Sequence, residues 1–345
     1  MKYYILYFSF IFFFLSCQKS QEGKFETQYV EETTKEYSVT PQVLPIDILN
    51  PTGIVALDTF LVFVQRHEDK ILKIYSTKGR ELTKNILQKG DGPNDVVLFT
   101  RFNQYYQKDG NSLVLIQSYP NSIGLLNINK SVQEGRAVFD YKENFVNGEK
   151  ALIFEESDVI FELNDSELLL TKDPVRSQTV NENPNPFFVR WNYRTNEVSD
   201  TIYINNLKDV SWDNRLIYSA YGVIKPTNDK VAWFYTYMDA IILIDIKTKE
   251  KIKLGLSPMG LDKEYAIKMK SQVHHEAFAT DSLIFGLRKE KDNKSVLYAY
   301  DWNGIFKYKI HLNENVLYFS INESDKTLYG IDDKDRILSY KLNFL

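Results

Sequence analysis

Four histidines, one cysteine and 46 carboxylates are the groups in this 345-residue chain best suited to chemistry. A zinc site of the His-Glu-x-x-His kind needs two imidazoles one helical turn apart. His67, His274, His275 and His311 offer no such spacing. His274 and His275 are adjacent and run into Glu276. On a strand such neighbours point to opposite faces, so one ion could not take both. They read as polar residues at a strand start. Gly90-Asp91-Gly92-Pro93 has the glycines of a phosphate-binding loop. It lacks the Lys and Ser/Thr that must follow and a strand–loop–helix frame. A tight turn is the reading that remains. There is no Gly-x-Ser-x-Gly elbow. A single cysteine excludes an internal disulfide and a Cys-rich zinc site. No catalytic residue and no cofactor is assigned.

The cysteine itself has a different chemistry. Lys2 precedes an uncharged apolar run over residues 3–15, and Phe14-Leu15-Ser16-Cys17 follows the pattern of the bacterial lipobox. The run is too short for a membrane span, which needs about 20 residues. It has the form of a secretory signal. The expectation is cleavage after residue 16, lipid attachment at Cys17 and a tether over residues 17–35. The location expected is the cell envelope, in the outer membrane.

The elements that would carry any further site are strands. Tyr (23) and Phe (22) are abundant and Gly (15) is scarce, a balance that favours sheets. Hydrophobic residues make up 43% of the chain, enough for a sizeable core. A net charge of −4 argues against a nucleic-acid partner. A unit of polar turn, apolar strand, polar turn, apolar strand and Lys/Gly/Asn turn recurs six times. Its first apolar residues are Leu61, Leu113, Leu168, Val231, Leu283 and Leu328, at steps of 52, 55, 63, 52 and 45 residues. An inserted loop over residues 173–186 accounts for the longest step. Such periods suit propeller blades of four strands. Apolar stretches at 53–57, 159–163, 277–279 and 317–321 would be inner strands facing the axis. The last unit ends without a fourth strand, leaving an open edge. Residues 36–48, β-prone and without a blade of their own, are expected to supply it and close the ring. The fold expected is an all-β, six-bladed propeller over residues 36–345. One short helix is expected near residues 262–271.

Together with the lipobox, Asn50-Pro51-Thr52-Gly53-Ile54, Gly90-Asp91-Gly92-Pro93-Asn94-Asp95 and Tyr300-Asp301-Trp302-Asn303-Gly304 give the chain its likeness to a known group. It resembles the TolB-like six-bladed β-propeller lipoproteins of Gram-negative bacteria. The resemblance covers most of residues 25–345 and implies a fold and a location, without an activity. It also implies a ligand face built from the blade-linking loops and the loops between second and third strands. The residues expected there are Arg66, His67, Asp69, Asp91, Asn94, Arg101, Tyr119, Asn121, Tyr237, His274 and Arg288. Aromatics mixed with both charge signs suit an envelope protein or a glycan, bound by a monomer. The rival reading is a lactonase-like hydrolase with Ca²⁺ in the channel. That ion needs converging oxygens, and Asn50, Asp158, Asp229 and Asn315 are the candidates.

Overall fold

The computed structural model describes residues 25–29, 35–65, 69–90, 92, 94–99, 102, 104–119, 122–145, 148–154, 157, 159–172, 187–204, 217, 219–256, 262–290 and 292–345. Three short strands open the chain: β1 (Phe25–Tyr29), β2 (Lys35–Ser38) and β3 (Gln42–Val43). The first blade is β4 (Pro51–Leu57), β5 (Phe60–Gln65), β6 (Lys70–Ser76) and β7 (Glu81–Gln88). The second has an inner edge in two pieces, β8 (Leu98–Phe99) and β9 (Gln104–Lys108). Both pair with β10 (Asn111–Tyr119), followed by β11 (Ser122–Asn127), helix α1 (Ile128–Glu134) and β12 (Phe139–Asn144). Helix α2 (Glu149–Phe154) leads to the third blade, β13 (Ile160–Asn164), β14 (Glu167–Lys172), β15 (Phe187–Asn192) and β16 (Glu197–Tyr203). The fourth is β17 (Ala220–Ile224), β18 (Lys230–Tyr235), β19 (Ile241–Asp245) and β20 (Lys251–Gly255). Helix α3 (Lys263–Met269) precedes the fifth, β21 (Glu276–Ala279), β22 (Leu283–Lys289), β23 (Ser295–Asp301) and β24 (Phe306–His311). The sixth is β25 (Val316–Asn322), β26 (Thr327–Asp332) and β27 (Ile337–Lys341), completed by β3. The protein is a six-bladed β-propeller.

The residue pattern explains why these sheets stack in a ring. In β5 the side chains alternate between two partners. Leu61 and Phe63 join the cluster against the sixth blade, and Val62 and Val64 the cluster against the second. A strand buried on both faces reads as a continuous apolar run, and β5 is buried from Leu61 to Gln65. The six apolar clusters of the described core each lie between two consecutive blades. Tight turns join the strands, with Asp58, Asp109 and Asn228 taking left-handed backbone angles. Short polar residues tolerate that region. This is why the polar turns recur with the apolar strands.

The ring closes as expected, in shorter form. Gln42 pairs with Ser339 and Val43 with Leu338, antiparallel, and the Leu44 amide donates to the Ile337 carbonyl at 2.8 Å. The seam is latched at the inner strands. The Ala56 amide donates to Ser320 Oγ at 2.9 Å and Asn322 Nδ2 to the Asp58 carbonyl at 2.6 Å.

The rest of the N-terminal segment departs from expectation. Residues 36–48 do not form one strand: Lys35–Ser38 lies parallel to β24 on the fifth blade. Phe25–Tyr29, expected within a tether, lies parallel to β20 on the fourth. The chain therefore runs along the outer edges of three consecutive blades before entering the first. Outer edges expose unpaired amides and carbonyls, and these strands satisfy them. The expected helix is present as α3, with Asp262 Oδ1 accepting from the Glu264 amide at 2.7 Å. The inserted loop at 173–186 lies outside the described residues.

Candidate functional site

Inner strands of a propeller line its axis, so the channel is built from every blade's first strand. Here the channel holds a cavity of about 500 Å³ lined by five blades. Its walls are aromatic: Phe102, Tyr105 and Tyr106 from the second blade, Tyr221 from the fourth, Tyr318 and Phe319 from the sixth. Gly222, in the wall, leaves space behind it for Trp233 of the core between blades three and four. A Cβ there would lie 2.6 Å from Trp233, its cross-strand partner.

Polar groups gather at the end where blades are linked. Gln272, His275, Glu276 and Lys289 line the cavity there. His275 is held below its usual pKa, first by burial and then by the Lys289 ammonium, so it is a neutral imidazole. Lys289 has no ion-pair partner among the described residues. Deeper in the channel, Gln104 ties three blades together. Its Nε2 donates to the Glu162 carbonyl at 2.9 Å and to Asn228 Oδ1 at 3.0 Å, while its Oε1 accepts from the Glu162 amide at 2.6 Å.

A second polar group lies nearby but inside the protein. Arg288 Nη2 donates to Asp239 Oδ1 at 2.5 Å and to His274 Nε2 at 2.9 Å. His274 Nδ1 faces the Tyr235 carbonyl at 2.7 Å. A carbonyl can only accept, so Nδ1 carries the proton and Nε2 the lone pair that meets Arg288. Burial, then the adjacent guanidinium, hold the His274 pKa well below its usual value. Burial, the largest single influence, would lower Arg288 too, but Asp239 together with Tyr300 and Tyr298 outweighs it and the net direction is upward. The guanidinium also sits 4.6 Å above the Tyr298 ring.

These positions sort the sequence-derived candidates. His274 and His275 do face opposite ways, one into the interface of blades four and five, the other into the channel. His274 and Arg288 are buried against each other and are not displayed on the ligand face. Asp69 and Asn94 are exposed at the blade-linking end, and Tyr237 is half-buried against the fourth blade's core. Tyr119 ends β10, opposite Leu98. Arg66, His67, Asp91, Arg101, Asn121 and Cys17 lie outside the described residues. In the Gly-Asp-Gly-Pro stretch, Asp95 Oδ2 accepts from the Gly92 amide at 3.2 Å and closes a turn. The three proposed calcium ligands among the described residues do not converge. Asn50 and Asn315 precede inner strands, Asp229 follows one and so sits at the opposite end, and Asp158 lies outside the described residues. Among the described residues no three His, Cys, Asp or Glu side chains form a metal cluster.

Fold and site together define a six-bladed propeller with an aromatic channel and a polar mouth. No protein-family model matches the chain, and no curated protein does. Solved structures are similar at the level of architecture. A Bacteroides fragilis protein described as exported has a TM-score of 0.48 and 12% identity, covering 92% of this chain and 98% of its own. The WD40 repeats of RRP9 give 0.46 and 11%, covering 87% and 97%. U3-55K gives 0.45 and 9%, covering 88% and 98%. At these values the likeness extends to neither activity nor partner.

Proposed function

We propose that the chain is a lipid-anchored envelope protein whose propeller binds an envelope protein or glycan at the mouth of its channel. The observation that carries this reading is the cavity itself: aromatic walls from blades far apart in sequence, with Gln272, His275, Glu276 and Lys289 at one end. Binding sites of this volume combine apolar walls with a few fixed polar groups. A neutral imidazole, an amide, a carboxylate and an ammonium supply donors and acceptors without a strong net charge. The anchor is Cys17, in the manner of the TolB-like lipoproteins, in the outer membrane. Two or three acyl chains at about 0.8 kcal/mol per buried CH₂ would make attachment effectively permanent.

Two measurements test the reading. Labelled palmitate should enter the wild type and not Cys17→Ala; a wild type that takes up no label refutes the anchor. A photo-crosslinker placed at the exposed Gln272 should capture a partner in native envelopes, and Phe102→Ala with Tyr318→Ala should abolish that capture. Equal capture by the double variant refutes the mouth as the binding site.

A further inference from the structure

The course of the N-terminal strands fixes where the anchored chain leaves the ring. Within the fourth blade, β19 runs away from the mouth and β20 returns toward it. The turn between them, residues 246–250, lies at the end opposite the mouth, and Lys251 is the first residue after it. β1 is parallel to β20, with Phe25 beside Lys251 and Tyr29 beside Gly255. The chain upstream of Phe25 therefore emerges at the turn end of the propeller, next to residues 246–250. Cys17 is eight residues before Phe25, a reach of at most about 28 Å when fully extended.

The surface at that exit has the character of a lipid-facing edge. Lys247 is exposed in the fourth blade's turn. Ile305, in the corresponding turn of the fifth blade, is 56% exposed. The fourth blade's turn adjoins the start of β1 through the Phe25–Lys251 pair, and the fifth blade's turn comes against its flank, where a Cβ on Gly304 would meet Leu254 and Gln28. An exposed isoleucine and an exposed lysine in neighbouring turns suit the headgroup boundary, where an apolar side chain dips and an ammonium meets phosphate, with Glu250 also exposed in the lysine's turn. The mouth is at the far end of inner strands of four to seven residues, roughly 13–23 Å away. Bringing it to the bilayer would require the tether to turn back along the flank that β1 occupies.

We infer that the propeller sits on the membrane by its turn end, with Lys247 and Ile305 at the lipid surface and the channel mouth facing away. This rests on lipid attachment at Cys17. The lipid surface is the partner of the turn end, and the mouth is left free for a soluble or opposing partner.

The test uses the full lipidated protein in vesicles of phosphatidylethanolamine and phosphatidylglycerol carrying an acceptor dye on a headgroup. Single cysteines receive a donor dye at the turn end (Lys247→Cys, Ile305→Cys) or at the mouth end (Leu49→Cys, Val97→Cys). The acylated Cys17 takes no dye. Energy transfer to the bilayer should be about twofold higher from the turn-end sites, given a height difference of up to roughly 23 Å. Equal transfer from both ends, or greater transfer from the mouth, overturns the orientation. Protein that takes up palmitate and floats with the vesicles, yet shows equal transfer, refutes the orientation alone. Protein that neither takes up palmitate nor floats refutes the anchor, and the orientation with it.

Discussion

Acidification should destabilise this propeller through His274, and His274→Gln should remove that part of the loss. The imidazole is fully buried, donates from Nδ1 to the Tyr235 carbonyl and accepts at Nε2 from Arg288. A proton on Nε2 would break the second bond and set two cations 2.9 Å apart in a dry interface. The folded state therefore keeps His274 neutral, and its pKa is lowered. The unfolded chain protonates it near pH 6.5. The unfolded state then binds more protons below that value, so stability is full above pH 6.5 and falls with decreasing pH. With the imidazole neutral in the folded state throughout, the linkage amounts to about 2 kcal/mol between pH 7 and pH 5, at ~1.4 kcal/mol per unit. Glutamine can donate to one carbonyl and accept from one guanidinium, and it does not titrate. Urea unfolding of wild type and variant at pH 7 and pH 5 reads the effect directly. The difference between the two proteins should shift by about 2 kcal/mol over that range. Parallel pH dependence of the two would refute the assigned hydrogen-bond roles.

Other outcomes follow from the same interfaces. Asp239→Ala leaves the Arg288 guanidinium buried without its carboxylate and should cost roughly 3–5 kcal/mol, measured by denaturant unfolding. Gly222→Ala drives a methyl into the Trp233 ring and should cost about 1–3 kcal/mol by the same assay. The Glu162 carboxyl, pushed up in pKa by burial, carries a penalty when ionised that grows as pH rises above its unfolded value. Glu162→Gln, keeping an acceptor for the Tyr106 hydroxyl at 2.8 Å, should raise the unfolding midpoint at pH 7 and lose that gain in acid near pH 4.

Much of the architecture was legible because a blade's strands face two neighbours. Alternate apolar residues point to alternate partners, and short polar turns separate them, so the six-fold pattern appears directly in the letters. The same alternation separated His274 from His275. The pairing of Phe25–Tyr29 and Lys35–Ser38 was not legible. Both strands are short and lie at outer edges, where backbone hydrogen bonds hold them and the side-chain pattern says little about which edge they meet. Helix α1 hid behind Asn127, whose side chain caps the Lys130 amide at 3.0 Å and which reads equally well as a turn residue. The channel mouth was hidden for a different reason. Phe102, Gln272 and Tyr318 belong to three blades, and only ring closure brings them around one cavity. Arg288 looked like a displayed cation, and only the structure brings Asp239 and His274 to it.

Closure of the ring by the chain's own beginning is tested most directly by a disulfide across the seam. Gln42 and Ser339 are register partners whose backbone groups face each other, at a Cα separation of about 5.5 Å for such a pair, within disulfide range. Gln42→Cys with Ser339→Cys should cross-link fully on mild oxidation, read as a mobility shift on non-reducing gels. Gln42→Cys with Lys341→Cys, two residues out of register, should not. A cross-link that fails for the first pair, or forms equally for the second, would contradict the closure.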